Sequence, residues 1–212
     1  MPLPISFVLR NNESFKKNAP RYVSNSEDYL LLVRFFLKLT NFPVHFSTIS
    51  DLHKAAYKGD INELEELLGQ EGNDVNMLGA QNRTPLHRAV GGKSAATTQY
   101  LIDKGATVNV EDEAGRTPLH WAAIVGSADC AEVLVKNGAN VNPLTKTGKT
   151  PLHMGAEAGM FEFVKYILSA GADTTIKDSK QQSAYDLAKK GGHKEIMQLV
   201  KVKGEDPCCV VS

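Results

Sequence analysis

The chain has 212 residues with 24 basic and 24 acidic side chains, so its formal net charge is zero. Balanced charge provides no global field to gather nucleic acid or an acidic substrate, and aromatic residues at 7% are too sparse for a platform on which bases stack. The three cysteines, Cys130, Cys208 and Cys209, are too few for a disulfide framework and lack zinc spacing, which fits a reducing compartment, cytosol or nucleus.

In chain order, residues 1–25 begin with Pro2 and Pro4 at the start of a short apolar run, Ile5 to Leu9, which then meets Arg10. A secretory leader needs a basic start and a longer apolar centre, so this segment reads as disordered; its mildly basic composition leaves a transit peptide as the minor alternative. Residues 26–47 hold Ser26-Glu27-Asp28 followed by an apolar run to Leu39, broken by Arg34 and Lys38. Ser26 can cap a helix whose positive end suits Glu27 and Asp28, and Arg34 and Lys38 fall on one face. That helix covers only about two-thirds of the ~30 Å of a bilayer core. It is expected to lie along the exposed edge of the next domain or, as the sharper alternative, on a membrane surface. Pro43 ends the segment, and Phe42 to Phe46 reads as a linker.

Residues 48–203 are organised by one tetrapeptide. Thr-Pro-Leu-His occurs at Thr84–His87, Thr117–His120 and Thr150–His153, each step being 33 residues, with degraded copies at Ser50–His53 and Ser183–Asp186. Thr caps a helix and Pro occupies its first position, where a missing N–H costs nothing. Leu points inward, and small pairs follow: Ala55-Ala56, Ala89-Val90, Ala122-Ala123 and Gly155-Ala156. Gly59, Gly126, Gly159 and Gly192 close these first helices, whereas Lys93 stands at that place in the second unit. Second helices carry larger apolar groups at helical spacing, from Leu64, Leu67 and Leu68 to Ile196, Leu199 and Val200. Gly91-Gly92, Thr97 and Thr98 mark the second unit as the softest.

This period and signature resemble the ankyrin repeat. The resemblance implies an all-α solenoid of five helix-turn-helix repeats with hairpin fingers, near 48–82, 83–115, 116–148, 149–181 and 182–203, the outer two acting partly as lids. It also implies that each His is held by hydrogen bonds to neighbouring turns. Four histidines in a row, one repeat apart, do not converge on an ion, and no phosphate loop or nucleophile elbow is present. No catalytic residue, cofactor, metal or small-molecule substrate is expected, and Cys130 reads as a buried small hydrophobe.

Carried over from the family, the binding surface is a concave side built from first-helix positions and finger tips. The first-helix residues are Lys54, Tyr57, Arg88, Trp121, Ile124, Met154 and Glu157; the tips supply Glu111, Asp112 and Glu113, then Leu144, Lys146 and Lys149. Trp121 and Ile124, one turn apart, would form an apolar anchor, unless Trp121 packs against the neighbouring repeat. Charge changes sign along the row, from Lys54 and Arg88 to Glu111–Glu113 and back to Lys146 and Lys149.

Residues 204–212 form a tail ending Cys209-Val210-Val211-Ser212, a pattern similar to a prenylation box, with Ser favouring farnesyl on Cys209; Cys208 is a candidate for a palmitoyl chain. Nearby lysines favour an anionic surface and Glu205 and Asp206 oppose it. The expectation is a monomeric, non-enzymatic scaffold or adaptor that binds a protein partner and no nucleic acid, cytoplasmic and membrane-associated through a C-terminal lipid. The alternative is a soluble cytosolic or nuclear inhibitor or assembly chaperone.

Overall fold

The described residues of the computed structural model, 46–70 and 72–201, hold five pairs of α-helices joined by loops, with one short 3-10 turn at Ala80–Asn82 and no strand among them. In order, α1 (Phe46–Lys58) pairs with α2 (Ile61–Leu68), α3 (Pro85–Gly91) with α4 (Ala95–Asp103), and α5 (Pro118–Val125) with α6 (Ala128–Lys136). Then α7 (Pro151–Ala158) pairs with α8 (Phe161–Ser169), and α9 (Ala184–Gly191) with α10 (Lys194–Leu199). The helix anticipated over 26–39 lies outside the described residues.

Sequence dictates where these helices begin. Each Thr-Pro puts Thr at the N-cap in an extended conformation and Pro at the first helical residue, in α3, α5 and α7 alike. In the first unit Asp51 replaces Pro, so nothing in the side chain blocks continuation upstream. Accordingly the helix α1 already includes Phe46, the last residue of the expected linker, and Ser50 lies inside it. At the other end of these helices, Gly126 takes φ +70, a left-handed cap natural to glycine. Lys93 adopts the same conformation at φ +60 without being glycine. The departure in sequence is thus absorbed as local strain.

First helices α1, α3, α5, α7 and α9 pack in succession, and so do second helices α4, α6, α8 and α10. No pair can bury its own apolar stripe; the core is shared along the stack. Leu52, Leu86, Leu119 and Leu152 occupy one repeated position, all essentially inaccessible. Beside them, volumes compensate. Unit three has Ala122 with Cys130, and unit four has Gly155 with Phe163 at the equivalent places, all buried. A Cβ on Gly155 would sit 2.8 Å from the Phe163 ring, so the glycine makes room for the larger side chain.

Candidate functional site

Three ladders hold the face where first helices meet the fingers. In the first, the backbone N–H of Thr84, Thr117 and Thr150 donates to Nδ1 of His87, His120 and His153 at 3.1–3.2 Å. An accepting Nδ1 places the proton on Nε2. That nitrogen donates across to the next unit: His53 to the Arg83 carbonyl, His87 to Arg116, His120 to Lys149 and His153 to Gln182, at 2.8–3.2 Å. At the equivalent place in the last described unit, Asp186 closes a capping box with Ser183.

Burial, partly offset by the bond to the Arg116 carbonyl, pushes the pKa of His87 down to about 4. His120 is likewise pushed down to about 4 by burial, and His153 moves in the same direction for the same reason. These imidazoles are neutral, with both ring nitrogens occupied by the backbone, so they act as struts and offer no lone pair to a metal.

Asparagines form the second ladder. Asn76, Asn109 and Asn142 each donate Nδ2–H to a glycine carbonyl of the next unit, Gly105, Gly138 and Gly171, at 3.2, 3.0 and 3.5 Å. Their Oδ1 atoms accept from the backbone N–H of Thr107, Asn140 and Asp173. Fingers themselves supply the third: Glu113 N–H donates to the Gln81 carbonyl, Lys146 to Ala114 and Ser179 to Thr147.

On this frame, one cluster stands out. Asp112 was expected as an exposed finger-tip charge, but it is buried at 4% exposure. Oδ1 accepts from the backbone N–H groups of Ala114 and Arg116, and Oδ2 from Arg116 Nε and Trp121 Nε1, at 2.9–3.2 Å. Burial alone would raise its pKa; the hydrogen bonds from Arg116, Trp121 and Ala114, with the Arg116 charge, outweigh it and hold the carboxyl below its usual range. Two guanidiniums lie against the Trp121 ring, Arg83 at 4.3 Å and Arg116 at 4.7 Å from its centroid. Trp121 is therefore half-buried, in contact across the repeat boundary and still partly open.

The remaining sequence-derived residues divide by exposure. Tyr57 and Leu144 are open at 56% and 53%; Lys54, Glu111, Glu113, Lys146 and Glu157 are also exposed, whereas Arg88, Ile124 and Met154 are half-buried. Lys54 pairs with Asp51, and Lys149 with Glu157. Arg83 and Arg116 were missed. Their signal was present: Arg83, Arg116 and Lys149 each stand directly before Thr-Pro, a basic column at one repeat position.

No group of His, Cys, Asp and Glu suited to a metal occurs among the described residues. Nor is any described helix long and apolar enough to cross a membrane. The family model described as ankyrin repeats (3 copies) matches in three overlapping placements, 52–145, 92–178 and 134–209. Most of the chain lies within them, and the fold and the repeated ladders agree: the chain belongs to the ankyrin-repeat family, whose repeats are protein–protein interaction modules.

Proposed function

We propose that this chain is a non-enzymatic scaffold or adaptor that holds a protein partner on its finger and first-helix face. The observation that carries the reading is the partly open Trp121, held against the guanidiniums of Arg83 and Arg116, with the apolar side chains of Tyr57 and Leu144 exposed on α1 and on the finger that follows α6. Preorganised aromatic and arginine groups of this kind dominate interface energies. Proximity labelling in cells, followed by pull-down with Tyr57→Ala plus Leu144→Asp, tests it. Capture of a partner that the double variant loses while keeping its helical signal supports the reading; equal capture refutes it.

The finer proposal is a lipid anchor on Cys209, with Cys208 as a second acylation site. One chain alone binds membranes marginally, so both cysteines would act together. Fractionation of wild type against Cys209→Ser tests this; identical distribution in a farnesylation-competent cell ends it. Glu205 and Asp206, set between the lysines and the cysteines, favour the competing reading of a freely soluble inhibitor or assembly chaperone.

A further inference from the structure

Arg88 lies on α3, one repeat before Trp121. Its Nε is closed off from water and has no hydrogen-bond partner. Arg83 Nε is in the same condition, its nearest carboxylate oxygen being Asp112 Oδ2 at 3.7 Å. Buried guanidinium nitrogens are almost always paired, because leaving one unpaired sacrifices its hydration for nothing. The local charge count is uneven as well. Arg83 and Arg116 face a single buried carboxylate, Asp112, which already accepts from two backbone N–H groups, the Arg116 side chain and Trp121, and Arg88 adds a third positive charge near Arg83. Burial, together with repulsion from Arg88 and Arg116, lowers the Arg83 pKa.

We propose that Arg83 and Arg88, with Trp121 nearby, form a receptor for a single carboxylate side chain on an extended segment of the partner protein. The inference rests on the finger and first-helix face being the binding surface. Planar guanidiniums match a carboxylate by paired hydrogen bonds, and an incoming carboxylate would meet these half-buried arginines at their terminal nitrogens and offset the positive excess around Asp112. A peptide fits better than a nucleic acid. Exposed Glu111 and Glu113 sit on the same finger as Asp112 and would repel a continuous phosphate chain. Exposed Tyr57 and Leu144 offer apolar contacts to either side of an isolated acid.

The chain contains a single tryptophan, Trp121, so its fluorescence reports on this site directly. A short random-peptide library is selected on the full chain, and the winners are titrated against wild type, R88E, R88Q and the Tyr57→Ala plus Leu144→Asp variant. No protein partner of Arg88 is lost in R88E or R88Q, so both should fold, and circular dichroism verifies it. The expected result is winners enriched in Asp or Glu that perturb Trp121 emission. R88E, or replacement of the peptide's acids by amides, should weaken them by at least about tenfold. Winners without acids, or equally tight on R88E and R88Q, overturn the receptor while leaving the binding face standing if the Tyr57 and Leu144 variant loses them. Winners indifferent to every one of these changes, or no winners, overturn both. A phosphoserine version, or single-stranded DNA, that acts at lower concentration than the selected peptide refutes the carboxylate assignment.

Discussion

Gly91 and Gly92 are neighbours whose replacement by alanine should have opposite consequences. A Cβ on Gly91 would meet nothing closer than 3.9 Å, the Tyr57 ring, with Trp121 next at 4.0 Å. Gly91 ends α3 within the helix, so Gly91→Ala should gain about 0.5–1 kcal/mol by reducing the freedom of the unfolded chain. A Cβ on Gly92 would fall 2.0 Å from the Tyr57 carbonyl oxygen, a backbone atom that cannot rotate away. Relief requires α1 and α3 to separate by roughly 1 Å, and overpacking of this severity costs about 3 kcal/mol. For a domain of this size that is a fall in Tm of about 6–12 °C. Urea unfolding, followed by circular dichroism and by Trp121 emission, measures both variants. A Gly92→Ala protein as stable as wild type, or a Gly91→Ala protein less stable than Gly92→Ala, would refute the close approach on which the packing of units one and two rests.

Stability should also depend on pH through the histidine ladder. With His87 and His120 at about 4 when folded and near 6.5 when unfolded, the unfolded chain binds the extra protons. The contribution is therefore complete above pH 6.5 and is lost as pH falls toward 4, by about 3 kcal/mol for each imidazole; His87→Gln and His120→Gln should flatten the urea midpoint over that window, and an unchanged slope would count against neutral struts. Asp112→Asn removes the charge facing Arg116 and Arg83, and should cost about 3 kcal/mol with a shift in Trp121 emission; unaltered emission would contradict the clamp. Asn109→Ala loses two bonds, to Gly138 and from Asn140, worth about 1–2 kcal/mol. Asn142→Ala should cost less, its bond to Gly171 being 3.5 Å long, and hydrogen exchange at the fingers compares the two.

Helix starts were legible because Thr-Pro encodes them chemically: a capping hydroxyl, then a residue that cannot extend the helix backward. Where Asp51 replaces proline, that stop is gone, and Ser50 lies within α1 and does not open it. The shared core was legible too, since Leu52, Leu86, Leu119 and Leu152 recur in step with the capping residues. Asp112 was not. Between Glu111 and Glu113 it reads as part of a solvated run, and only the turn at Gly115 brings the Arg116 backbone and Trp121 onto it. Gly92 has a second reason that the sequence does not show: the Tyr57 carbonyl of the preceding unit comes so close that a Cβ does not fit there. Ring-to-guanidinium stacking joins residues in neighbouring repeats, and the basic column before each Thr-Pro was visible without any sign that it would fold over Trp121.

Hydrogen exchange of the chain, free and bound to a captured partner, tests the central claim most directly. Slowed exchange at Arg83–Arg88, Glu111–Glu113, Trp121–Val125 and Leu144–Lys149 is the predicted footprint. Protection confined to the second helices α2, α4, α6, α8 and α10 would contradict it.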